Sequence, residues 1–190
     1  NFLKIYSLKN KYPKTKMSHE ETVLETGGGI KNALPLFNKN KILAINGDSL
    51  LINKAKDCPV KKLYTNFNDS MDVLLLLVPK KNSIGYQGNG DFIRNNKRNI
   101  FRIQRKKSIG YSDLVFCGWQ LLRKDIFNKI DRNYFSLNLI YDVAQKKNRL
   151  YGTIFNGSFL HIGDPRSYLF VNNQLNSKKL SLLWIIFFMI

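Results

Sequence analysis

The chain has 190 residues with an ordinary apolar fraction of 44%, which suits one domain with a real core and excludes a disordered or fibrous class. Lys and Arg number 31 against 13 Asp and Glu, a net charge of +18; the excess is scattered and lacks the basic–aromatic alternation of single-strand binders, so we expect neither nucleic acid nor membrane as a partner. Cys58 and Cys117 are far apart and form no CxxC, which argues against a disulfide framework or a zinc site and fits a reducing, cytoplasmic setting.

The first residue is Asn1, not Met, and Phe2, Leu3, Ile5, Tyr6 and Leu8 fit an amphipathic helix ending near Asn10. No signal peptide pattern opens the chain, and we expect the true start to lie upstream. Tyr12-Pro13 stops the helix. Lys16 to Glu20 reads as a short strand. Gly27, Gly28 and Gly29 then read as a loop opening a helix through Leu36. Lys41 to Asn46 (KILAIN) is almost wholly apolar, as expected of a central strand covered on both faces, and Gly47-Asp48 ends it.

A second buried run spans Met71 to Val78 and stops at Pro79. Strand patches follow at Gly90 to Ile93, Ile100 to Ile103 and Asp113 to Leu121, and helical patterns at Lys124 to Ile130 and Leu137 to Lys146. The densest basic run, Arg94 to Lys107, reads as a loop and an exposed strand. Tyr151 to Asn156 and Ser158 to His161 read as a hairpin about Asn156-Gly157, and Pro165 to Leu175 as a helix. Leu180 to Ile190 is apolar but shorter than the ~20 residues that span a bilayer. We expect a domain over 1–175 and a separate tail over 176–190. Helices alternating with buried strands predict an α/β sandwich with a mixed sheet.

Three constellations carry candidate chemistry. Glycines at a helix start let a nucleotide approach free N–H groups, although three glycines also make a plain turn. A carboxylate at the end of an apolar strand, Asp48, is placed to hold Mg²⁺ while leaving room for water and phosphate oxygens, although Asn-Gly-Asp is also an Asx turn. In SFLHIGDPR a strand delivers His161 ahead of Gly163, for a metal or for structure; His19 reads as structural.

The order SHEETVLETGGGIKNALPLF, ILAINGDSLL, MDVLLLLVP, GDF, FSLNLIYDVA, RLYGTIFNGSFLHIGDPRSY resembles sugar-phosphate nucleotidyltransferases, in particular the N-acetylmuramate-1-phosphate uridylyltransferase and mannose-1-phosphate guanylyltransferase group. The resemblance covers about residues 2 to 173. It implies a Rossmann-like three-layer α/β fold with a mixed sheet, missing its N-terminal strands. The implied activity is Mg²⁺-dependent transfer of a nucleoside monophosphate from a nucleoside triphosphate to a sugar 1-phosphate, releasing pyrophosphate, in nucleotide-sugar and cell-wall biosynthesis. By position, the resemblance makes Asp48 the catalytic, metal-binding aspartate. It puts Glu20 and Gly27, Gly28 and Gly29 at the nucleoside, and Gly90, Asp91, Gly118, Gln120 and Asn138 at the sugar phosphate. His161 stands where many members carry a second acidic metal ligand, and Asp164 is three residues out of register. The family's GxGxRxxP triphosphate loop is absent from the 190 residues, so we expect the chain by itself to have impaired or no activity. An inactive remnant and a basic nucleic-acid module are the competing readings.

Overall fold

The computed structural model describes residues 15–52, 57–95, 100–105 and 112–177. The N-terminal helix expected at Phe2 to Asn10, part of the Arg94 to Lys107 run and the apolar tail lie outside the described residues.

Two sheets organise the chain. The larger contains β1 (Lys41–Ile45), β3 (Val73–Pro79), β5 (Phe92–Arg94), β6 (Ile100–Arg105), β7 (Leu114–Arg123) and β8 (Leu150–Ile154) in the order β1-β7-β3-β8-β6-β5. β7 runs antiparallel to both β1 and β3, and β3 is parallel to β8, so the sheet is mixed as expected. A smaller sheet joins β2 (Ser49–Ile52), β9 (Ser158–His161) and β4 (Ser83–Ile84) in the order β2-β9-β4. The helices are α1 (Glu25–Ala33), α2 (Pro59–Asn66), α3 (Asn138–Lys146) and α4 (Pro165–Asn176).

The unbroken leucine run of β3 follows from burial on both faces. Leu74, Leu75, Leu76 and Leu77 are all fully buried. Because side chains alternate along a strand, Leu75 and Leu77 pack with Ile140, Tyr141 and Ala144 of α3, while Leu74 and Leu76 pack with Leu63 of α2 and with Trp119. The result is three layers, helix on sheet on helix. Each such leucine contributes about 1.5–3 kcal/mol by leaving water, and Leu75→Ala is expected to cost about 2–5 kcal/mol.

Several sequence expectations are corrected. No strand forms over Lys16 to Glu20. KILAIN is not central: among the described residues β1 pairs only with β7, and Leu43, Ala44 and Ile45 are half-buried. Lys124–Lys129 is a 3-10 helix. The expected hairpin about Asn156-Gly157 does not form, because its arms enter different sheets. After β8 the Phe155 N–H still donates to Leu77 O at 2.9 Å, and the Phe155 ring is fully buried. The chain then leaves to place β9 between β2 and β4. Burial of Phe155 and Phe159 beside Leu74 and Leu76 outweighs the local turn signal.

Glycines 27 to 29 do not precede the helix; they lie inside it, since α1 begins at Glu25. Gly27 and Gly28 are buried, and the Gly28 N–H donates to Phe135 O at 3.1 Å. A Cβ on Gly27 would meet the Phe135 ring, and one on Gly28 would collide with the carbonyl oxygen of Asn133. These two glycines admit the 133–135 segment against the helix.

Candidate nucleotide and sugar-phosphate cleft

β1 ends at Ile45, and the chain turns through Asn46-Gly47-Asp48 into β2. That turn is fixed from β7: the Asn46 N–H donates to Gly118 O at 2.9 Å, and the Ser49 hydroxyl donates to Cys117 O. Gly118 has φ +80, and a Cβ there would meet Asn46 and Ser49, so glycine is needed both for the backbone and for the close approach. The Asp48 side chain is exposed beyond this anchored turn.

β2 pairs with β9 so that Ser49 stands opposite His161. A Cβ at Gly163 would stand 2.6 Å from Oδ2 of Asp48 and 3.3 Å from Cε1 of His161, so both side chains flank one point. The His161 ring meets Tyr86 and Phe159 edge-on at centroid distances of 6.1 and 6.0 Å, and its Nε2 is 3.5 Å from Oδ2 of Asp164. Asp164 is engaged as the N-cap of α4, accepting from Ser167 N at 2.9 Å and from the Ser167 hydroxyl at 2.6 Å. Those donors hold its carboxyl below the usual range.

Beside the turn lies a cavity of about 250 Å³ between α1 and β1, lined by Thr26, Gly29, Ile30, Ile45, Asn46 and Gln120 among others. Gly29 is the one member of the triple glycine on this wall. Glu20 stands next to it: a Cβ on Gly29 would be 2.6 Å from Oε1 of Glu20, while Oε2 accepts the Leu24 N–H at 3.0 Å. The Glu20 carboxylate thereby satisfies an otherwise free N–H at the start of α1. Gln120, 1% exposed, is oriented by the Tyr141 hydroxyl, which donates to its Oε1 at 2.8 Å; burial pushes the Tyr141 pKa up and keeps it a donor.

The remaining expected residues divide. Asp91 accepts from the Tyr86 hydroxyl at 2.7 Å and from Phe116 N at 2.9 Å, so its two oxygens brace β7 and the 86–91 loop. Burial, followed by the Asp91 carboxylate, pushes the Tyr86 hydroxyl up. Gly90, at φ +78, lets the loop cross Ser112. Asn138 is exposed at the first position of α3 and does not line the cavity; its carbonyl accepts from Arg105 at 3.3 Å. Tyr86, which ties His161 to Asp91, was not marked by the sequence: a tyrosine in a glycine-rich stretch carries no distinguishing pattern.

Among the described residues no group of three or more His, Cys, Asp or Glu side chains gathers to hold a metal. The chemistry that fits is a hard cation held by the exposed Asp48 carboxylate, with water and substrate oxygens completing its shell. An imidazole suits that cation poorly.

The solved structures that match carry the same fold. One is the crystal structure of HddC from Yersinia pseudotuberculosis complexed with GMP-PN: 22% identity, 90% of this chain and 73% of that one, TM-score 0.63. Another is the UTP-bound UGPase from Acinetobacter baumannii: 14% identity, 92% of this chain and 66% of that one, TM-score 0.67. The fold is therefore that of the sugar-phosphate nucleotidyltransferases. Among curated proteins, the chain is similar to N-acetylmuramate alpha-1-phosphate uridylyltransferase of Caulobacter vibrioides (strain ATCC 19089 / CIP 103742 / CB 15), at 28% identity over 165 residues, 86% of this chain. The chain spans 66% of that relative's length. No family model matches.

Proposed function

We propose that the chain is the greater part of a sugar-1-phosphate nucleotidyltransferase, taking a nucleoside triphosphate and a sugar 1-phosphate to a nucleotide sugar and pyrophosphate. The observation that carries this reading is the cavity between Gly29 and the end of β1, followed within one turn by the exposed carboxylate of Asp48. It lies at the C-terminal end of β1, which runs parallel to β3 across β7, and open α/β sheets collect ligands at the carboxyl ends of strands. The similar uridylyltransferase supports a sugar-phosphate acceptor, hence nucleotide-sugar supply for the cell wall in the cytoplasm.

In this reading the sugar 1-phosphate oxygen attacks the α-phosphorus, and the bond to the β-phosphate oxygen breaks as pyrophosphate leaves. The protein supplies position more than reacting groups. The Gly29 wall holds the nucleoside, with Glu20 beside it, and Gln120 stands toward the sugar phosphate. The Asn46 to Ser49 turn, clamped by Gly118, aims Asp48 at the phosphates. Asp48 would hold Mg²⁺, which when bound offsets charge on the phosphate oxygens. Gly90, Asp91 and Tyr86 shape the acceptor side with His161.

The test is release of pyrophosphate from UTP, GTP, CTP, ATP and dTTP with several sugar 1-phosphates, including N-acetylmuramate 1-phosphate. It is run on the 190-residue chain and on the chain joined to an N-terminal segment bearing GxGxRxxP. Turnover of about one per second or more in the joined protein, abolished by Asp48→Ala, supports the reading, with the unjoined chain far slower. A folded joined protein without turnover, or turnover that survives Asp48→Ala, overturns it.

A further inference from the structure

At the opposite end of the sheet, where β1, β3 and β8 begin, a second cavity of about 310 Å³ opens between Asp72, Arg123, Asp125, Lys129, Lys147 and Arg149. Strand register fixes its separation from the cleft. Arg123 pairs with Lys41 at the start of β1, whereas Trp119 pairs with Ile45 at its end. At ~3.3 Å per residue those two strand ends are about 13 Å apart.

Four cations face two carboxylates here, and they are not equivalent. Arg149 Nε donates to Asp72 at 2.7 Å, and Arg149 also donates to Asp69 O at 2.6 Å. Arg123 is bound to Asp125 through Nε at 3.3 Å and Nη2 at 3.2 Å, and approaches Asp69 at 3.8 Å. The arginines and both lining carboxylates are therefore occupied with one another. Lys129 and Lys147 are not: among the described residues neither has a carboxylate within ion-pair distance. Instead both line the same cavity, beside the two guanidinium groups. Like charges sharing one cavity repel, and Lys129 holds the Lys147 ammonium below its usual range, with Asp72 a weaker opposing influence.

An arrangement with two unmatched positive charges converging on a cavity walled by guanidinium groups lacks an anion. A tetrahedral dianion would accept from both ammonium groups, remove their repulsion and balance the surplus charge. We propose that this cavity is a second, non-catalytic binding site for a phosphate-type oxyanion, inorganic phosphate or a terminal phosphoryl group, held mainly by Lys129 and Lys147. The opposing explanation is local: Lys129 closes the 3-10 helix and Lys147 caps α3, where cations complement the helix ends.

The experiment is calorimetric titration of the full chain with inorganic phosphate and, separately, pyrophosphate. EDTA silences any metal-dependent binding at the Asp48 cleft, and chloride holds ionic strength constant. We expect saturable binding that weakens about tenfold or more in the double variant Lys129→Gln/Lys147→Gln. It should change less than about twofold in Lys16→Gln/Lys81→Gln, which removes the same charge elsewhere. The proposal fails if binding does not saturate, or if both pairs weaken it equally, which would mark diffuse attraction. It also fails if the first pair lowers only thermal stability, which would leave the lysines to the helix ends. A single-stranded oligonucleotide that binds more tightly than pyrophosphate and suffers the same loss would replace the proposal with a nucleic-acid site.

Discussion

Gly163 leaves open the point on which the Asp48 carboxylate rests: a single methyl group there would stand 2.6 Å from Oδ2. Gly163→Ala is therefore expected to turn the carboxylate aside. Asp48 is exposed, so it moves at little cost and the melting temperature should change by no more than about 2 °C. Activity of the protein joined to a GxGxRxxP segment should fall about 10- to 100-fold, because a small misplacement of a positioning group is enough. Undiminished turnover in a folded Gly163→Ala protein would remove Asp48 from the reacting region.

His161 distinguishes a ligand from a supporting ring. Its contacts are the edges of Tyr86 and Phe159 and the Asp164 carboxylate. In a Mg²⁺ titration of turnover, His161→Ala should leave the half-saturating concentration within about twofold, because imidazole contributes little to a hard cation. His161→Asp should lower it by supplying an oxygen beside Asp48. A large rise in His161→Ala would make the histidine a ligand after all.

The glycines of α1 should separate by substitution. Alanine favours a helix interior by about 1 kcal/mol. At Gly28 that gain is overridden, since the new methyl meets the Asn133 carbonyl; at Gly27 it meets the Phe135 ring. Each is expected to lose about 1–3 kcal/mol of stability in urea denaturation. Gly29→Ala meets only the movable end of Glu20, so stability should hold while nucleotide binding weakens.

Asp164 should matter to α4 in a pH-dependent way. Removing the cap with Asp164→Ala is expected to lower the melting temperature by roughly 2–4 °C near neutral pH. The folded carboxyl titrates below its unfolded value, chiefly through the Ser167 hydroxyl and then its N–H. Its stabilisation is thus complete above the unfolded value, about 3.9, and is lost as pH falls through the folded one. The gap between wild type and variant should close in acid; a gap that widens there contradicts the assignment.

Thiol reactivity offers an independent check on the core. Cys117 is fully buried, and burial pushes its pKa up to about 12. Iodoacetamide at pH 8 should label the half-buried Cys58 and spare Cys117 until the protein is unfolded. Prompt labelling of Cys117 in the folded protein would contradict the packing of β7.

What could be read from the residues was whatever a local pattern dictates. The run at Met71 to Val78 identified β3 because burial on both faces leaves an unbroken apolar string. Asp48 stood out because Gly-Asp ends a second such string. Partner choice was illegible. Nothing near Asn156-Gly157 says that β8 lies beside β3, whose residues stand 77 positions earlier at Val73 and Leu150. Nor could the glycines of α1 be placed inside a helix without Phe135 and Asn133, more than a hundred residues away. The triple glycine looked like a ligand's loop, but two of its members serve packing. Only the resemblance puts Asp91 at the acceptor pocket, and its oxygens are engaged by Tyr86 and Phe116.

The central position of β3, with neighbours on both edges and a helix layer on either face, also sets the order in which the molecule comes apart. Its amide protons can meet deuterium only when the whole assembly of β7, β3 and β8 opens together, so they should report the global unfolding free energy. The turn at Asn46 to Asp48 hangs from that slab by the Gly118 carbonyl and the Ser49 hydroxyl. It can therefore breathe on a much faster clock, opening while the slab behind it stays closed.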